Sequence, residues 1–277
     1  MRRRRIIQLL SALIYNANLP GFAAGRIYTK QPKGLCVPGL NCYSCPGAVA
    51  SCPLGTLQNK LVSTPDKAMF YIIGILLLFG VLFGRLICGF LCPFGLLQEL
   101  LHKIPVPKLQ KSRVTQRISY LKYIVLILFI GILPAVTGSP AFCQYICPAG
   151  TLEAGIPLVA MNEGLQAIIG GLFQWKVFIL AGLVILSVFA HRGFCRFACP
   201  LGALYSFFNK ISVFGIRVEK STCNHCGKCI RACPMDIKMP GDRECISCGK
   251  CIDVCSRGAV SWKHKRDKKR KEMECER

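Results

Sequence analysis

Acidic residues are scarce: 13 Asp and Glu stand against 36 Lys and Arg, a formal charge of +23 over 277 residues. Histidine is scarcer still. His102, His191, His225 and His264 form no spaced pair inside an apolar segment, which argues against an intramembrane bis-histidine haem. No glycine-rich nucleotide motif and no nucleophile–base constellation is present, so nucleotide-driven and hydrolytic chemistry have no residues to carry them. The positive charge comes without a groove-reading motif, and nucleic acid is set aside as a partner. Much of the excess sits at residues 2–5, at Lys103, Lys108, Lys111, Arg113 and Arg117, and over 263–271. These positions flank apolar stretches, where cytoplasmic membrane borders collect Lys and Arg and anionic headgroups attract them. The lipid membrane is therefore the expected first partner.

What is abundant is apolar. Hydrophobic residues make up 52% of the chain and mean hydropathy is +0.43, which suits a membrane protein carrying a soluble module. Segments 68–91, 118–136 and 176–190 are each long and apolar enough to cross a bilayer. Residues 6–28 are a marginal fourth, interrupted by Asn16, Asn18 and Pro20; a secretory signal peptide is the competing reading. Residues 152–173 hold Glu153 and Glu163, costly at mid-depth, and read as re-entrant or interfacial. If the basic flanks share the cytoplasmic side, 6–28 must cross as well. The expected fold is mostly α: about four transmembrane helices with both ends inside, then an α+β module. The domains run 1–214 (membrane), 215–260 (module) and 261–277 (basic tail). A multi-pass protein of the cytoplasmic membrane follows, its module on the cytoplasmic side. The cost is that Arg26, Lys30, Lys33, Lys60 and Lys67 fall outside.

Cysteine supplies the chemistry. Of 19 cysteines, eight write C-x2-C-x2-C-x3-C twice, at Cys223, Cys226, Cys229 and Cys233 and at Cys245, Cys248, Cys251 and Cys255. This is the bacterial two-cluster ferredoxin spacing. Three thiolates in one tight loop reach three corners of one iron–sulfur cube, and the fourth projects to its neighbour. One [4Fe–4S] cluster is expected on Cys223, Cys226, Cys229 and Cys255, the other on Cys245, Cys248, Cys251 and Cys233. The second copy ends Cys255-Ser256 and lacks the proline that follows Cys233. Zinc sites and disulfides compete for such pairs; the doubled register favours iron.

Aligning the membrane part on Cys-Pro exposes a repeat: Cys52-Pro-Leu-Gly-Thr-Leu-Gln, Cys92-Pro-Phe-Gly-Leu-Leu-Gln, Cys147-Pro-Ala-Gly-Thr-Leu-Glu and Cys199-Pro-Leu-Gly-Ala-Leu-Tyr. Three copies carry a second cysteine four residues earlier, Cys88, Cys143 and Cys195; the first has Ala48 there and offers Cys45 or Cys42. Cysteines at i and i+4 share a helix face, proline turns the chain and glycine permits the turn. The span order brings Cys88, Cys92, Cys195 and Cys199 together near the cytoplasmic face, four thiolates for a third cluster. Cys143 and Cys147, at the opposite face, pair with Cys52 and Cys45 or Cys42, with Cys36 in reserve. Packing, a soft metal such as copper, or an outer disulfide are the other uses of these thiols. Arg85, Arg192 and Arg196 flank the inner set and read as snorkelling anchors or as offsets to cluster charge.

On these residues the chain resembles the membrane polyferredoxins. That family includes the quinol-oxidising H subunit of periplasmic nitrate reductase systems and the C-terminal half of the nitrous-oxide-respiration regulator. The resemblance covers residues 1–260 and rests on the motifs at 88–93, 143–148 and 195–200 and on the eight module cysteines. It implies electron transfer between membrane and cytoplasm. The chain departs from the family in the extra Cys36, Cys42, Cys45 and Cys52. The expected function is a redox conduit, an electron-transfer subunit with two [4Fe–4S] clusters in the module and one or two more in the membrane. It would link a cytoplasmic carrier such as a ferredoxin or flavodoxin, drawn in by charge, with a quinone or an extracytoplasmic reductase. A redox sensor, metal reductase or maturation factor using the same clusters is the rival class.

Overall fold

A computed structural model of the chain describes residues 2–63 and 67–263; most of the basic tail, with Cys275, lies outside the described residues. Two helices are long and apolar enough to cross a membrane by themselves, Arg113–Thr137 and Gly171–Phe189. Their flanks leave Ile124, Ile127 and Phe178 more than half exposed, a surface suited to hydrocarbon. Lys67–Phe83 is apolar but only 17 residues, about 26 Å of helix against a core of about 30 Å. The expected segment 6–28 is not one helix. Arg2–Tyr15 stops, and Leu19–Ala24 begins after a turn. The reason is local: Asn16 Nδ2 donates back to the Ala12 carbonyl at 3.1 Å and Asn18 Nδ2 to the Pro46 carbonyl at 2.8 Å, drawing the chain out of the helical ladder.

Two long segments widen into π turns, Leu126–Ile132 and Gly150–Gly155. In each a proline stands two residues further on, Pro134 and Pro157. A proline offers no N–H and its ring crowds the carbonyl four residues back, and a wider turn relieves both. Short helices hold the repeats. Pro53–Val62, Pro93–Leu101 and Pro200–Phe208 all begin on the proline, with Cys52, Cys92 and Cys199 as extended N-cap residues. Proline fits the first helical turn, where its missing N–H has no partner to lose. The cysteines of a C-x3-C pair therefore do not share one helix face. Cys88 belongs to Leu86–Phe90 and Cys195 to Gly193–Phe197, and a turn separates each from its partner.

The C-terminal module is built on an antiparallel pair, β1 (Ile216–Val218) and β2 (Val260–Trp262), with Ile216 opposite Trp262. Helices Lys228–Ala232 and Lys250–Asp253 lie between. The module is clamped to the preceding helices through acidic residues. Arg85, fully buried, gives Nη1 to Glu244 Oε2 at 2.6 Å and to the Arg243 carbonyl at 3.1 Å. Buried Lys122 pairs with the other oxygen of Glu244, and Arg196 with Asp236. Thr115 Oγ1 donates to Asp236 at 2.6 Å. Arg85 and Arg196 thus do not snorkel, because their counter-charges come from the module. Glu244→Gln leaves two buried cations short of charge and is expected to cost about 3–5 kcal/mol, read as a lower thermal midpoint of the detergent-solubilised chain.

Candidate metal centres

Four groups of thiols emerge. In the module, Cys233 lies within Coulombic reach of Cys245 and Cys248, and Cys251 within reach of all three. Cys223, Cys226, Cys229 and Cys255 line one cavity of about 370 Å³. Cys233 thus lies with the second loop and Cys255 with the first. Each C-x2-C loop needs a left-handed residue before its second cysteine, His225 at φ 54° and Ser247 at φ 49°, and a left-handed glycine after it, Gly227 and Gly249. His225 accordingly shapes its loop through its backbone and lines the cavity. Burial pushes Cys233 up to about 12 and, with its neighbours' charge, Cys251 to about 12. Iron can take these sulfurs only by displacing a proton. Burial acts to raise the Cys255 thiol, but the amides of Val260, Ala259, Arg257 and Gly258 together hold it below its ordinary value, a nest just beyond the position where the first copy has proline.

Among the Cys-Pro repeats Cys92 lies within Coulombic reach of Cys195 and Cys88, and Cys199 within reach of all three. Cys42, Cys52, Cys143 and Cys147 line a second cavity of about 360 Å³. A Cβ built on Gly150 would stand 3.8 Å from both Cys147 Sγ and Cys42 Sγ. Of the alternatives left open for this group, Cys42 is the thiol brought in. Cys45 turns its sulfur to Asn16 Oδ1 at 3.8 Å, and Cys36 lies beside Thr56. Among the described residues no three His, Cys, Asp or Glu groups are placed to hold a single metal ion; two of the four sulfur groups line cavities instead. Thiol-only groups of four fit [4Fe–4S] cubes.

The repeat glycines do different work from that expected. None of Gly55, Gly95, Gly150 and Gly202 has positive φ. Each instead donates its amide to the cysteine sulfur three residues back, at 3.4 Å for Gly150 to Cys147 and for Gly202 to Cys199. A Cβ on Gly95 or Gly202 would lie 3.1 or 3.2 Å from the carbonyl of Cys88 or Cys195, so the missing side chain lets the paired cysteine close in. The seventh repeat position carries a role that sequence reasoning missed. Buried Gln98 accepts from the Phe194 amide at 3.0 Å and the Cys195 amide at 3.4 Å, and its Nε2 donates to Cys195 Sγ at 3.0 Å. Gln58 accepts from the Cys143 amide at 3.3 Å, and Glu153 from the Cys42 amide at 2.8 Å. Tyr205 donates to the Pro38 carbonyl at 3.0 Å. Each braces the opposing turn; the signal was the recurrence of Gln, Gln and Glu at one place in the alignment.

Beneath the first membrane group lies an ion triad. Glu99 Oε1 meets Arg192 Nη2 at 2.7 Å, and its Oε2 meets Arg4 Nη2 at 2.6 Å. Arg192 is fully buried, left-handed at φ 54°, and also donates to the Cys88 carbonyl. It too is no snorkelling anchor. Burial opposes the Glu99 charge, but Arg192 and Arg4 outweigh it and hold the carboxyl down at about 2.

The family described as "4Fe-4S binding domain" matches residues 66–112, 122–156 and 172–219. An uncharacterized protein of Methanocaldococcus jannaschii is 31% identical over 201 residues, 69% of this chain and 68% of its own length. The regulatory protein NosR of Pseudomonas aeruginosa is 30% identical over 170 residues, 59% of this chain but 22% of its own length. The putative electron transport protein YccM of Escherichia coli is 26% identical over 186 residues, 65% of this chain and 50% of its own. No solved structure matches.

Two outcomes follow from these contacts. Gln98→Ala strands the amides of Phe194 and Cys195 and is expected to cost about 1–3 kcal/mol in thermal unfolding. The Glu99 triad contributes its full stability above about pH 4.5, the ordinary carboxyl value, and loses it as the pH falls toward about 2. An acid titration of unfolding should show that decline, and Glu99→Gln should remove it.

Proposed function

We propose, for a chain that belongs to the 4Fe-4S binding family of polyferredoxin-like electron-transport proteins, that four clusters in series carry electrons between a cytoplasmic carrier and the far side of a membrane. Two would use the module cysteines in the crossed pattern. A third would use Cys88, Cys92, Cys195 and Cys199, and a fourth Cys42, Cys52, Cys143 and Cys147. When bound, each cluster takes up and releases one electron. The chain's part is to space the sulfurs, exclude water and direct N–H groups at them, which sets potential.

The observation that carries this reading is where the module touches the membrane domain. A Cβ on Gly89, between Cys88 and Cys92, would lie 2.3 Å from the Ile246 carbonyl, between Cys245 and Cys248. The backbones of two thiol turns are therefore in contact, and Asn209 Nδ2 bonds the Cys245 carbonyl at 2.9 Å. Such docking supports a fixed conduit over a ferredoxin swinging on a tether. Arg113–Thr137 and Gly171–Phe189 would cross, Lys67–Phe83 would cross as a third span, and Arg2–Tyr15 with Leu19–Ala24 would complete four. The module would then face the cytoplasm. Of the basic residues this places outside, Lys33 is tied down, with Nζ on the Ala48 carbonyl at 2.7 Å. The carrier would be an acidic ferredoxin or flavodoxin, and the acceptor a quinone or an extracytoplasmic reductase.

Anaerobic purification with iron and sulfide counting tests this. About 16 iron atoms per chain are expected; about 8 would leave only the module loaded. Cys88→Ser and Cys143→Ser should each abolish a distinct EPR signal and spare the ferredoxin signals.

A further inference from the structure

We propose that the Leu40–Asn41 peptide is the link through which electrons pass between the two membrane-domain groups of thiols. The inference rests on reading both groups as clusters. It starts from two consecutive amides. The Leu40 amide is turned toward the Cys92 sulfur and the Asn41 amide toward the Cys52 sulfur; Leu40, Asn41 and Cys52 line one cavity, and Gly39 rests on the Cys92 turn. Cys92 belongs to one group and Cys52 to the other. Within two residues the chain runs from the Cys92 turn, where Gly39 lies, to the cavity that Cys42 and Cys52 line. The groups are neighbours. They are not set on opposite faces of a hydrocarbon core about 30 Å thick, as span order alone implied.

The surrounding contacts hold this strand of chain in one place. A Cβ on Gly39 would stand 3.2 Å from the Cys92 Cα, so the loop lies directly on that turn. Tyr205, fully buried, clasps the Pro38 carbonyl and is within Coulombic reach of Cys88 and Cys92 on one side and Cys52 on the other. The Asn41 side chain accepts from Asn16 Nδ2 at 3.0 Å and donates to the Ala50 carbonyl at 3.3 Å. The next amide, of Cys42, is held by Glu153. Leu40 and Asn41 are buried, at 3% and 0% exposure. The transfer is of one electron. One cluster is oxidised by one unit and the other reduced by one, no bond forms or breaks, and no proton moves. The amides favour the more negative, reduced form of each cluster because each offers a donor to its sulfur.

The full chain, purified anaerobically in detergent and reduced with dithionite, tests the link by EPR. Two membrane-cluster signals that split each other are expected, and Cys143→Ser, by removing one, should leave the other unsplit. Tyr205→Phe keeps the ring in its pocket and frees only Pro38; it should weaken the splitting at unchanged iron content. Asn41→Pro deletes one amide donor and should lower the midpoint potential of the Cys52 cluster alone. About 16 iron atoms with two unsplit signals would overturn the link while leaving the conduit standing. Splitting untouched by Tyr205→Phe, or a Cys52-cluster potential unmoved in iron-replete Asn41→Pro, would overturn the role of this peptide. About 8 iron atoms would overturn the conduit and the link together.

Discussion

In each repeat of the membrane domain, one contact recurs: an amide three residues on points at the sulfur of the cysteine that starts the helix. The rest of the structure depends on it. Cysteine as N-cap, proline as first helical residue and glycine as donor make a helix N-terminus whose free N–H groups and dipole favour a thiolate. A single such turn presents two sulfurs. A group of four therefore requires two turns to meet, and the helices are arranged so that they do, Pro93–Leu101 opposite Gly193–Phe197 and Pro53–Val62 opposite Ala141–Tyr145.

Meeting is enforced by braces at the seventh repeat position. Gln98 and Gln58 satisfy amides of the opposing turn that would otherwise be buried without partners, and such amides are costly to leave unpaired. Tyr205 breaks the pattern because its partner is not a cysteine amide but the Pro38 carbonyl. The fourth repeat thereby holds the loop that lies between the two groups. The first repeat lacks the earlier cysteine, and the same loop returns Cys42 to supply it.

The shortage of acid acquires a meaning once the fold is seen. Glu99, Asp236 and Glu244, three of only 13 acidic residues, each sit against at least one buried arginine. Placed there, all three neutralise guanidinium groups near the thiol turns, and Asp236 and Glu244 also bolt the module to the preceding helices. Arg85, Arg192 and Arg196 read in the sequence as lipid-facing anchors because their partners are distant in the chain; Glu244 lies 159 residues from Arg85. Likewise the broken helix at Asn16–Asn18 was visible as polar residues, but not the carbonyls they bind.

Spacing by itself determined the ferredoxin module and the Cys-Pro repeat, because ligation within one loop depends on a handful of neighbouring residues and a turn. Span order suggested which repeats face each other but set the two groups on opposite faces, because it carries no information on how far each turn folds back. Only tertiary structure decided that Cys42 and not Cys45 lines the cavity with Cys52, Cys143 and Cys147, that the loop at Gly39–Asn41 lies on the Cys92 turn, and that the repeat glycines act as donors. Those choices turn on hydrogen bonds between residues far apart in sequence, and burial makes such bonds obligatory without writing them in any local pattern.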